Sequence, residues 1–289
     1  MAASVIGLSV AFGILFIVFS ALEWVRRRRT GRALFRAGYL TDLTYWFATP
    51  LIHRGVQIAL LFVVVVPLSL LIWGKVDKNL IEHGFGPLSR LPFWLQALLI
   101  LVIGDFTGYW MHRAFHGRWL WRFHAVHHSS TELDWLSSVR VHPVNEIIMR
   151  IASALVVLPL GFAPLAFAAI APVLTLYAIF IHADVTFDWG PLRWLIASPR
   201  FHRWHHTDET AARDKNFSGF FPIWDLLFGT YHMPRGEVPT SFGTATPVGH
   251  GLWGQLIGPF RRQNNIARVT PESASPRFAT TPPPIDNLR

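Results

Sequence analysis

Apolar residues come in blocks about as long as a membrane-spanning helix, separated by basic, aromatic or Gly/Pro-containing stretches. The first block runs from Ala2 to Val25 and ends in Arg26-Arg27-Arg28-Arg29. Residues 30–50 mix polar and aromatic positions and predict an amphipathic helix lying along an interface. A second span is expected over Val56–Trp73, kinked at Pro67, and a third over Phe93–Met111. Between them, residues 74–90 read as a polar loop. Residues 146–182 are mostly apolar and broken at Leu160-Gly161-Phe162-Ala163-Pro164. They predict a tight hairpin of two spans, Ile147–Leu160 and Pro164–Ile181. Residues 234–289 are rich in Pro, Gly, Ser and Thr; 252–260 is expected to be a surface helix, and disorder is expected beyond Arg262.

The expected fold is therefore all-α: a membrane bundle of about four to five spans with a helical cap on its cytoplasmic face. Boundaries are placed at 1–92 for anchor spans and an external loop, 93–233 for a catalytic domain and 234–289 for a surface segment and tail. A signal peptide carries its charge before the apolar run, whereas here it follows, so the first block is an uncleaved anchor whose basic end lies in the cytoplasm. With five spans the amino terminus is outside. Residues 112–143 and 182–289 then share the cytoplasmic face.

Composition agrees with a membrane protein. Hydrophobic residues make up 52% of the 289 positions and charged ones only 15%, against about 25% charged in soluble domains. The 13 Trp suit membrane interfaces. The absence of cysteine excludes disulfides, thiolate ligands and iron–sulfur clusters. The net charge of +9 flanks apolar runs, which favours anionic lipid over nucleic acid as the partner.

Histidine changes the picture most. Asp105 to His128, DFTGYWMHRAFHGRWLWRFHAVHH, carries His112, His116, His124, His127 and His128. His202, His205 and His206 in FHRWHH repeat the spacing of the last three. On a helix, residues three or four apart share a face, so each cluster can present its imidazoles together. Neutral imidazole is a good ligand for iron, zinc or copper. A single ion takes three or four such ligands, so eight suit a pair. Asp105 shares the helical face of His112 and His116, where it is expected to accept a hydrogen bond from a ligand imidazole. His142 in RVHPVNE is open between ligand, ligand support and substrate contact. Glu146 is expected to orient Arg140 or His142. Asn216 and Asp225 are expected to brace the metal helices or the substrate mouth, or to cap a loop. Trp119, Trp121 and Trp135 are expected to anchor against headgroups or to pack in the core.

HRAFH, HAVHH and HRWHH resemble the three histidine boxes of the fatty acid hydroxylase/sterol desaturase superfamily. The flanking GDFTGYWMHR, RVHPVNE, SPRFHRWHH and KNFSGFFPIWDLLFGTYH fit as well, so the resemblance runs from about Asp105 to His232. It implies a membrane non-haem di-iron oxygenase that hydroxylates or desaturates a lipid with O₂. Zinc is a possible substitute for iron in purified protein. A histidine is expected in that family near the end of the last span, which makes His182 the ninth ligand. The chain has no Gly-rich dinucleotide fingerprint and no CxxCH haem site. A ferredoxin or cytochrome b5-like donor is therefore expected to dock on the basic face. Two rivals are a membrane zinc hydrolase and a metal transporter or haem-binding electron carrier. The second would place its histidines at mid-membrane rather than at span ends.

Overall fold

A computed structural model describes residues 5–60, 62–63, 66–75, 83–246 and 248–261. The tail beyond Arg262, expected to be disordered, lies outside them. The principal helices are α1 (Val5–Thr30), α2 (Tyr39–Leu60), α3 (Val66–Trp73), α4 (Phe93–Phe115), α5 (Pro143–Val157), α6 (Pro164–His182), α7 (Pro199–His206) and α8 (Gly251–Ile257). The one β pairing among the described residues is an isolated bridge between Thr207 and Phe242.

Among the described residues, four helices are long and apolar enough to cross a membrane: Val5–Thr30, Phe93–Phe115, Pro143–Leu160 and Pro164–His182. Their apolar side chains point outward, with Ile6, Ile17 and Leu165 each at least two-thirds exposed. Such a surface is stable only against lipid, and the chain is a membrane protein. The span expected over Val56–Trp73 falls on α2, which begins at Tyr39, and on α3; the junction between them, and with it the kink expected at Pro67, lies partly outside the described residues.

The α5–α6 hairpin closes as expected. α5 continues through a tight turn, Leu158–Leu160, to Gly161 at φ 74°. A Cβ on Gly161 would lie 1.7 Å from the Phe85 carbonyl oxygen, so both its conformation and its contact demand glycine.

The amino-terminal helices share a core with the segment that follows the second histidine box. Phe19 of α1 stacks on Trp135 at 5.5 Å, and Trp46 of α2 meets the same ring at 6.2 Å. Trp135 is thus a core residue, while Trp119 is exposed and Trp121 donates to Thr246 Oγ1 at 2.7 Å. Beneath this core lies a buried ionic network. Asp184 accepts from Arg26 at 2.6 Å, Arg32 at 2.7 Å and Arg203 at 2.9 Å. Arg36 bridges Asp134 and Asp42, and Asp42 also pairs with Arg140 at 2.5 Å. Glu146 meets neither Arg140 nor His142; it pairs with Arg150 one turn on in α5 and with His53.

Candidate metal centre

The nine imidazoles named above converge at one end of the bundle, in two groups. His112, His116, His124, His128 and His205 form one; His127, His182, His202 and His206 form the other. Within each group one ring nitrogen per residue lies within 4.8 Å of all the others. The groups share a wall, where the His128 and His206 rings stack at 4.4 Å.

Local structure explains who sits where. α4 carries His112 near its end, with His116 as its C-cap. The second box is not the regular helix the spacing predicted. His124 ends a single turn (Trp121–His124), and His127–Ser129 is a tighter turn after it. His127 points into the other group, away from His124 and His128. α7 is regular; Ser198 caps it by accepting from Phe201 N–H at 3.1 Å. A regular helix spreads i, i+3 and i+4 over an arc, and His205 thereby parts from His202 and His206.

The ring orientations fit metal binding. His112 Nδ1–H donates to the Phe217 carbonyl at 2.7 Å, and His124 Nδ1–H to Asn145 Oδ1 at 3.0 Å. Each Nε2 is then a bare lone pair, yet the two Nε2 atoms are 3.0 Å apart. The other group repeats this. His127 Nδ1–H donates to the Arg140 carbonyl at 3.1 Å and His182 Nδ1–H to the Ala178 carbonyl at 2.6 Å. Their Nε2 atoms are 3.2 Å apart. Two lone pairs cannot hydrogen-bond to each other. Two nitrogens about 2.1 Å from one ion, at right angles, lie about 3.0 Å apart. His116 and His205 each hold Nδ1 on an acceptor, Asp214 Oδ1 and the Lys215 carbonyl, and leave a buried Nε2 without a protein partner. Burial first, then charge on neighbouring imidazoles, pushes His124, His127, His128, His202, His205 and His206 well below the ordinary imidazole pKa. They are neutral, as ligation requires.

A cavity of about 310 Å³ opens on this centre. It touches His112 and His124 of one group and His127 of the other, then runs down α4 past Gly108, Asp105, Gly104 and Leu101, facing Asn145 and Met149 of α5. Two groups of imidazoles, each able to hold a metal ion, thus sit above an apolar cavity at the ends of membrane helices. Residues 97–230 match the fatty acid hydroxylase family model.

The chain belongs to the fatty acid hydroxylase superfamily.

Among its relatives, ornithine lipid hydroxylase of Rhizobium tropici is 35% identical over 217 residues, covering 74% of this chain and 65% of that protein. Alkylglycerol monooxygenase of Xenopus tropicalis is 32% identical over 56% of this chain and 36% of its own length. Methylsterol monooxygenase 1-1 of Arabidopsis thaliana is 26% identical over 75% of each chain. The chain thus aligns with less than two thirds of the first two relatives. No solved structure matches it.

Within this fatty acid hydroxylase frame, two expectations need correction. Asp105 does not bond to an imidazole: its carboxylate accepts from the backbone N–H groups of Phe220 and Phe221, both at 2.8 Å, and from Trp224 Nε1 at 3.0 Å. Sharing a helix face is not contact, because seven residues advance about 10 Å along the axis. Asp105 acts at a distance, fixing the loop whose Phe217 carbonyl holds His112. Asp225 grips the same loop, accepting from Phe217 and Ser218 N–H at 2.8 and 2.9 Å. Asn216, held at φ 58°, donates to the carbonyls of Phe201 and His232. His142 is the second correction. Its Nδ1 caps α5 by accepting from Val144 N–H at 3.1 Å, and its Nε2–H donates to the Leu256 carbonyl of α8 at 3.1 Å. With both nitrogens engaged it reaches neither ion site. The supports that sequence reasoning missed are Asn145 and Asp214. Asn145 lies in RVHPVNE, between the two residues of that motif that were weighed.

Proposed function

We propose that the protein is an O₂-dependent di-iron oxygenase that hydroxylates or desaturates a C–H bond of a membrane lipid. The observation that carries this is the cavity: an apolar slot along a membrane helix, ending on imidazoles of both groups. The nine histidines hold two iron ions, which when bound supply O₂ activation and the redox power to cleave an unactivated C–H bond.

The chain's own part is positional. Carbonyl, carboxylate and amide acceptors on Nδ1 fix the rings of His112, His116, His124, His127, His182 and His205 with Nε2 facing inward, as supports of metal ligands do elsewhere. The loop held by Asp105 and Asp225 closes one side of the cavity with Phe217 and Gly219. Leu101, Met149 and Leu174 keep water from the reacting carbon and seat the lipid.

The centre faces the cytoplasm in this reading. Arg26, at the basic end of α1, pairs with Asp184, two residues beyond His182. The basic end of α1 and the imidazoles are therefore level, and basic span ends stay inside. This holds whatever the number of spans. An external donor of ferredoxin or cytochrome b5 type delivers electrons there. The catalytic unit is 93–233, with 1–92 as anchor and 234–289 as surface segment.

The test is lipid analysis of a deletion strain, complemented with the parent gene or with His202→Ala. A lipid that gains an oxygen or a double bond only with the parent, and only in O₂, supports the reading. Equal restoration by His202→Ala would end it.

A further inference from the structure

The slot below the ions has a shape and a polarity that name its occupant. Going down α4 from His112, the positions that line it are Gly108, Asp105, whose carboxylate is taken up by Phe220, Phe221 and Trp224, Gly104 and Leu101; Gly108, Gly104 and Leu101 set its depth. By helical rise these lie about 6, 12 and 16 Å from the level of His112. A Cβ at Gly104 would meet nothing within 4 Å, and one at Gly108 would only just reach Met149 Cε at 4.0 Å. The missing side chains therefore leave open space rather than close backbone packing. The volume of about 310 Å³ is at the small end of ligand pockets, which suits one chain better than a fused ring system. At the upper end Asn145, 9% exposed, lines the cavity. Its Oδ1 is committed to His124 Nδ1–H. Among the described residues no acceptor meets its Nδ2, so a polar donor faces the slot beside the ions.

We infer that the slot binds a single unbranched alkyl chain, methyl end down toward Leu101, with a lipid oxygen (ether, ester or hydroxyl) on Asn145 Nδ2, and that Gly104 and Gly108 set the chain length. This rests on the oxygenase reading for what happens to the carbon beside that oxygen, but binding is separable from it. An extended chain advances a little over 1 Å per bond, so the 16 Å above Leu101 hold about thirteen bonds. Leucine at position 104 removes the lowest third of that length, and leucine at 108 removes more than half.

The experiment is native mass spectrometry of the full purified chain in detergent, titrated with 1-O-alkylglycerols of graded chain length and, separately, with cholesterol. Metal content is measured on the same samples. The parent selects the longer alkylglycerols and leaves cholesterol unbound. Gly104→Leu lowers the longest chain bound by about four carbons, and Gly108→Leu by about eight, at unchanged metal content. Gly104→Ala shifts it less, in the same direction. Leu101→Ala shifts it the opposite way, which a folding defect cannot imitate. Asn145→Asp keeps the acceptor for His124 and loses the donor, so it retains metal and binds alkylglycerol about tenfold more weakly. Chain selection unmoved by both leucine variants at full metal content overturns the inference, as does cholesterol displacing the alkyl chain. If binding follows this order but no O₂-dependent product forms, the oxygenase reading fails and the slot assignment stands.

Discussion

The two imidazole groups are built differently although the same boxes supply both. The four-member group is the more deeply buried: His127, His182, His202 and His206 are all at least nine-tenths buried, only His127 meets the cavity, and Arg140, Asp184 and Arg203 lie in the layer behind them. Two of its rings, His127 and His182, hang on the backbone carbonyls of Arg140 and Ala178. The five-member group reaches outward: His116 bonds to Asp214, whose side chain is 61% exposed. Its supports are a mixture of carbonyls, an amide and that carboxylate. The four-member group has no ligand to spare and depends on a buried charge network for its shape. The outer group has one more ligand and a support that water can replace.

Loss of a ligand separates them most sharply. His202→Ala leaves three imidazoles in the four-member group, the fewest that hold an ion, so that group loses metal affinity more steeply than the other and turnover is lost. His205→Ala leaves four in the outer group, which retains its ion with weaker affinity. Elemental analysis of both purified variants checks this, and equal metal loss in the two would erase the contrast.

The next effect is on stability. Asp184→Ala leaves Arg26 and the buried Arg203 without their carboxylate partner, while Arg32 keeps Glu132. Breaking such a pair costs about 3–5 kcal/mol. Thermal denaturation in detergent should show it, together with loss of metal from the four-member group first.

Asp105 tests support at one remove. Asp105→Asn loses part of the grip on Phe220 and Phe221 N–H and loosens the Phe217 carbonyl on His112. Metal affinity of the outer group should fall by about tenfold, the lower end of the effect for groups behind a ligand. Equilibrium titration with Co²⁺ measures it, and parent-like affinity would leave Asp105 a packing residue.

The smallest effects come from the rim. Asp214→Ala lets water take the His116 N–H and should change activity by less than tenfold. His142→Ala removes a helix cap and should cost about 1 kcal/mol with metal content unchanged.

What the sequence allowed to be read follows from the range of each signal. Apolar block length and the i, i+3, i+4 spacing are local, so α1, α4, the α5–α6 hairpin and eight of the imidazoles were legible from them, while His182 was named only through the family resemblance. The division of the nine into five and four was not legible. In both HxxHH boxes the i+3 imidazole parts from the other two, and which group it joins depends on how elements distant in sequence pack together. Asp105 and His142 were misassigned because a shared face or a shared motif gives direction and not distance. Their partners, the 217–221 loop and Leu256, are more than a hundred residues away in sequence. Asn145 and the Gly104–Gly108 slot exist only once α4 and α5 are packed together.

The central claim is that two ion sites lie side by side in this fold. The direct measurement is the iron content of the full-length chain, loaded anaerobically and freed of loose metal, against protein determined by amino-acid analysis. The account predicts close to two iron ions per chain, one for each imidazole group. A ratio that saturates at one or below would contradict it.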